Sequence, residues 1–87
     1  MDGEVKARPR EIRVIAREIQ HAWEKQGKGV HFAARPYLSA MYSLGGVQDS
    51  YGMDDAKSIV LYFLSNATSF RGEDAKRLKA ELKELIK

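Results

Sequence analysis

Arg10, Arg13 and Arg17 recur at spacings of three and four residues, which puts three guanidinium groups on one side of a helix. A guanidinium is planar, always charged and shaped to bind phosphate oxygens, so a row of three is a candidate phosphate contact. Lys76, Lys79 and Lys83 repeat the spacing near the other end of the chain and extend the candidate set. Glu11 and Glu18 fall on the opposite flank of the first row, so the two signs are segregated. An ordinary solvated helix face has the same appearance, because helix surfaces are charge-rich.

Other chemistry finds little material. His21 and His31 are the only histidines and there is no cysteine, whereas zinc needs four placed ligands, or three and a water. No H-E-x-x-H occurs, and no serine sits in G-x-S-x-G. Asp49, Asp54 and Asp55 suggest a cation loop, but with Asp49 at the first position the third, fifth and twelfth hold Tyr51, Met53 and Val60 where calcium needs oxygen ligands. Helix capping accounts for those acids better. Gly27-Lys28-Gly29 has no strand before it and no G-K-[ST], so it is no phosphate loop. The chain is expected not to be an enzyme and to take no cofactor, metal or small-molecule substrate.

The elements that must position these residues are helical. Ile12, Ile15, Ile19 and Ala22, widened by Ala16 and Trp23, form one apolar stripe between Pro9 and Gln26. Pro9 suits a first helical position and Gly27 ends the helix. A second helix, about 34–44, has Pro36 in its first turn, Tyr37, Leu38, Met41 and Leu44 inward, and Gly45-Gly46 beyond its end. Phe32 stands where a hydrophobic staple would pack on its first turn. Val47 to Met53 reads as a loop with Gly52 at positive φ.

The run Ile59-Val60-Leu61-Tyr62-Phe63-Leu64 is the one continuous apolar segment. A buried strand has the same composition, but Asp54 and Asp55 at its start and Asn66 at its end favour a helix over 54–67. Being apolar over most of its circumference, it is expected to be the central helix, with Ser58 and Ser65 as a small seam for a close neighbour. A fourth helix, 73–86, carries Ala75, Leu78, Leu82 and Leu85 on one stripe, with favourable Glu73–Arg77 and Arg77–Glu81 pairs on its surface. The expected architecture is therefore all-α: a compact four-helix bundle of 9–87 behind a disordered lead, 1–8.

Eighty-seven residues make one small domain of marginal stability, which oligomerisation would support. The net charge of +3 is uneven, with eight Lys/Arg against five acids in 1–35, one against three in 36–70, and six against four in 71–87. Six apolar residues fall far short of a membrane span, and the opening MDGEVKARPRE has no apolar signal region. A cytoplasmic location and no membrane partner are expected.

At FAARPYLSAM, residues 32–41, and DSYGMDDAKSIVLYFLSNATSFRG, residues 49–72, the chain resembles a group of short uncharacterised proteins from actinobacteria and their bacteriophages. The resemblance implies a setting, that of a cytoplasmic accessory protein carried by a phage or prophage, and no mechanism.

Two functions are compatible with these readings. The first is a protein-binding module acting on a host protein or by self-association, with Tyr51, Phe70 and Arg71 as preferred contacts, since interface anchors are typically aromatic residues and arginine, and with burial of Tyr51 or Phe70 in the core as an equal alternative. Its specificity would come from charge: Glu11 and Glu18 flank one stripe and Asp74 and Glu81 the other, so packing those edges together would be repulsive. The alternative is a small nucleic-acid binder using Arg10, Arg13 and Arg17. A helix-turn-helix wants a turn of three or four residues, and nine loop residues separate helices two and three.

Overall fold

A computed structural model describes residues 9–87; the expected disordered lead, 1–8, lies outside the described residues. The chain forms α1 (Ile12–Glu24), α2 (Arg35–Met41), β1 (Ser50–Tyr51), β2 (Asp54–Asp55), α3 (Ala56–Ser65) and α4 (Glu73–Leu85). It is mostly helical, but a small antiparallel hairpin corrects the all-α reading.

The stripe of α1 forms as its spacing predicts. Ile12, Ile15, Ala16, Ile19, Ala22 and Trp23 are all buried. The helix begins three residues later than Pro9 suggests, and the reason is tertiary. Glu11, in extended backbone, makes no side-chain cap; instead the free N–H groups of Ile12 and Arg13 donate to Gly45 O at 2.8 Å and Leu44 O at 2.9 Å. The carbonyls at the end of the α2 segment thus satisfy the start of α1, as orphan helix donors require.

In α2, Pro36 sits in the first turn and the helix runs to Met41, with Tyr42 N making the last four-residue bond to Leu38 O at 3.3 Å. Ser43 N donates to Ala40 O and Leu44 N to Met41 O, a tighter three-residue turn that still buries Leu44. Phe32 is no staple. The residue before the cap is Ala33, while Phe32 lies on the outer corner of the His31–Ala34 turn, 76 % exposed, and the buried place there belongs to Val30.

The hairpin pairs Ser50 with Asp55 and Tyr51 with Asp54 around Gly52-Met53. Gly52 has φ 63° and Met53 keeps negative φ, the pattern of a II′ turn, whose twist suits a two-residue hairpin. Asp49 braces its base. The Asp49 carboxylate accepts from Gly45 N at 2.7 Å and its backbone carbonyl from Ala56 N at 3.0 Å. Strands of two exposed residues carry no alternation of hydrophobicity, which is why the segment reads as loop.

Asp55 caps α3 by accepting from Ser58 N at 2.8 Å. The helix buries Ala56, Ile59, Val60 and Phe63 and leaves Leu61 53 % and Tyr62 49 % exposed. It is therefore one-faced and peripheral, contrary to the expected central helix. Ser58, Leu61, Tyr62 and Ser65 recur at i, i+3, i+4 and i+7 and form its outer face; the serines mark solvent, not a seam. α1 takes the central place, packed on α4 and on α2, while α3 packs on α2.

After α3 the chain turns at Ala67–Phe70, where Phe70 N donates to Ala67 O at 3.1 Å, and Phe70 enters the core. Its ring stacks on Trp23, centroids 5.0 Å apart, and Trp23 meets Phe63 edge-on at 6.3 Å. Gly72, φ 104°, then starts α4, whose Ala75, Leu78 and Leu82 are buried. Lys79 Nζ donates to Phe70 O at 2.7 Å and covers the Phe70 ring.

Candidate functional site

α1 and α4 run antiparallel, since Arg10 meets Glu81 at one end and Gln26 meets the Arg71 carbonyl at the other. That packing brings the two acidic edges together, where charge alone predicts repulsion, and arginines are set between them. Arg10 is bidentate on Glu81, with Nη2–Oε1 2.6 Å and Nε–Oε2 2.9 Å, and its Nη1 reaches Glu18 at 2.9 Å. Arg77 Nη2 takes the other Glu18 oxygen at 2.5 Å and Asp74 at 3.3 Å. The expected Glu73–Arg77 and Arg77–Glu81 pairs give way to this seam. Bidentate pairing is the strong form of such contacts.

The seam breaks up the arginine row. Arg10 is committed to Glu18 and Glu81, and Arg13 Nε lies 3.2 Å from Glu11 Oε1, at the base of the Gly45–Asp49 loop. Arg17 remains exposed, beside Gln20, His21, Glu24 and Tyr42 around a shallow concavity of about 440 Å³. Tyr42 Oη donates to Gln20 Oε1 at 2.8 Å there. The three guanidinium groups thus do three different things.

Of the preferred protein contacts, Tyr51 is 51 % exposed on the hairpin. Phe70 is fully buried under Trp23, so its aromatic ring serves the core. Arg71 is exposed, its Nε reaching Thr68 O at 3.4 Å. Three apolar residues that sequence reasoning missed are also exposed: Met53 entirely, at the hairpin tip, and Leu61 and Tyr62 on α3. Tyr62 leans on Tyr37, ring centroids 5.6 Å apart. The available signal was the pair of serines bracketing Leu61 and Tyr62 at helical spacing.

The two histidines lie apart in different settings. His31 stacks on Phe32 at 4.8 Å and its Nδ1 accepts from Ala33 N, while His21 lies exposed in the last turn of α1. Among the described residues no group of three or more His, Cys, Asp or Glu is arranged to hold a metal ion, and no helix is long and apolar enough to cross a membrane.

The seam makes stability pH-dependent. Hydrogen bonds from Arg77 first and Arg10 second hold the Glu18 carboxyl below the ordinary glutamate range. A lowered folded-state value stabilises the fold above the unfolded glutamate value of about 4.3, and that contribution is lost as pH falls through the folded value. Thermal melts of Glu18→Gln and the parent chain should therefore differ at pH 7 and converge below about pH 4. The gap should narrow in high salt, because the side chains are partly solvated. Curves that stay parallel to pH 3 would assign no such role to Glu18.

No family model, curated protein or solved structure matches the chain.

Proposed function

We propose that the chain is a small protein-binding module whose contact surface is the outer face of α3 with the adjoining hairpin. The observation that carries this reading is the exposure of Tyr51, Met53, Leu61 and Tyr62, large apolar side chains on two directly connected elements. Each leaves water-contacting apolar area that a folded monomer gains nothing by displaying, and buried aromatic anchors are what dominate interface energies. Asp54 and Asp55 rim the hairpin and are both exposed. The complementary partner is apolar at its centre and basic at its edge, either a host protein or a second copy of the chain. The setting follows from the resemblance quoted above: a cytoplasmic accessory protein of a phage or prophage.

The nucleic-acid reading through Arg10, Arg13 and Arg17 is the weaker one, since Arg10 is bound by Glu18 and Glu81 and Arg13 lies 3.2 Å from Glu11.

The test is a triple variant, Met53→Ser, Leu61→Ser and Tyr62→Ser, against the parent chain in light scattering and in pull-downs from a bacterial host. All three positions are solvent-exposed, so the helical circular dichroism signal should persist. Self-association or partner capture should weaken by on the order of 100-fold, as loss of anchors worth about 1 kcal/mol or more each implies. A monomeric parent chain that captures nothing, or a complex indifferent to the variant, would reject the proposal.

A further inference from the structure

The seam also sorts the charges of α4. Asp74 and Glu81 are turned to Arg77 and Arg10, and Glu84 to Lys87. On the other flank Lys76, Lys79 and Lys83 meet no carboxylate within ion-pair distance among the described residues. Spaced three and four apart, they form a row about 10 Å long at the helical rise per residue. Arg71 joins the row from the segment before the helix. Burial of its ammonium disfavours the charge of Lys79, and the neighbouring charges of Lys83 and Arg71 add to this. Arg71, Lys76 and Lys79 surround a concavity of about 500 Å³ floored by Phe70 and Ala75, in which the one carboxylate is Glu73.

Across the Ser69–Arg71 backbone, which Gln26 Nε2 holds through Arg71 O at 2.5 Å, a second concavity of about 300 Å³ is lined by Trp23, Gln26, Lys28, His31 and Ser69. At its edge His31 is stacked on Phe32, the rings inclined by 25°, and Phe32 is 76 % exposed. The cationic row borders the first concavity and the His31–Phe32 stack the second, and the Ser69–Arg71 segment contributes to both; cations for the phosphates and an exposed ring for an unpaired base are what a single nucleic-acid strand requires. A duplex offers no such base, and a lipid surface would take the larger apolar display of the hairpin and outer α3 in preference to the single ring of Phe32. We propose that this end of the molecule, with Arg71, Lys76, Lys79 and Lys83 as phosphate contacts and Phe32 as the stacking platform, binds single-stranded nucleic acid. This activity is separate from the protein contact, for it lies beyond the C-terminal end of α3 while the hairpin precedes its N-terminal end.

Fluorescence anisotropy of a labelled twelve-nucleotide thymidine strand with the full chain tests it. Three to four phosphate contacts give a salt slope of roughly −2 to −3, so affinity should fall about 20- to 50-fold between 50 and 200 mM salt. The double variant Lys76→Gln, Lys83→Gln should flatten that slope by about 1.4. Phe32→Ser should weaken binding on the order of 10-fold with the slope unchanged, because stacking releases no counterions. All three side chains are exposed, and circular dichroism verifies that the variants fold. The proposal is overturned if the strand is not bound at 50 mM salt or if the lysine pair is without effect. It is equally overturned if a duplex or an anionic phosphatidylglycerol vesicle binds at least as tightly while Phe32→Ser changes nothing.

Discussion

Phe70→Ala is expected to cost on the order of 3 to 5 kcal/mol and to leave much of the population unfolded at 37 °C. Phe70 is fully buried, stacked on Trp23 with rings inclined by 19°, and covered on another side by the Lys79 side chain. Truncation opens a cavity where the α3–α4 connection meets α1. The backbone around it is pinned by Gln26 to Arg71 O and Lys79 to Phe70 O, which limits collapse into the void. A domain of 87 residues has only about 4 to 13 kcal/mol in total, so this one side chain is a large share of it. Trp23 is the sole tryptophan, and its fluorescence reports the site directly in a urea titration. Phe70→Leu should lose far less, on the order of 0.5 to 1.5 kcal/mol for the stacked pair. A Phe70→Ala chain whose midpoint matches the parent's would show that the stack does not hold the connection.

How much of this was legible in the sequence varies with what each residue answers to. The inward faces of α1 and α4 obey only their own helical period, so Ile12, Ile15, Ile19, Leu78 and Leu82 are read from spacing and are buried. The run from Ile59 to Leu64 is different, because six apolar residues in a row hide which side faces out. What decides is whether enough chain exists to cover both sides, and only α2 packs broadly on α3. For Phe70, surface contact and burial are equally open from the sequence, and the structure buries it. A polar neighbourhood in sequence says little where one residue of a turn points inward.

The charges were legible helix by helix and misleading between helices. Arg10, Arg13 and Arg17 share a face on a wheel, yet Arg10 precedes the first helical residue and swings to Glu81, 71 positions away. On charge alone Glu18 belongs to a repulsive edge, and the antiparallel partner supplies Arg77 to neutralise it. Neither contact has a local signature. The same long-range pairing leaves the lysines of α4 uncompensated, so the misread seam and the basic row have one cause.

Gly72→Ala is the second substitution expected to act strongly, at about 1 to 3 kcal/mol, the cost of placing a side chain in a backbone region essentially reserved for glycine. Gly72 caps α4 with φ 104° and ψ −175°. Space is not the obstacle, since an added Cβ would find its nearest neighbour, Gln26 Nε2, at 3.9 Å. The conformation is the obstacle, and it matters because two things depend on it. Gly72 O accepts from Lys76 N at 3.0 Å in the first turn, and the preceding carbonyl of Arg71 receives Gln26. Relaxing φ towards negative values would rotate one of these carbonyls away. In a domain of this size the loss corresponds to a fall of roughly 4 to 24 °C in melting temperature. Hydrogen exchange should quicken most at the Lys76 amide, and strand binding should weaken in step as Arg71 and Lys76 lose their common geometry. An alanine variant that melts within a degree of the parent, with Lys76 equally protected, would mean that the α4 start tolerates a negative φ and that the bend at Gly72 is not what holds the connection.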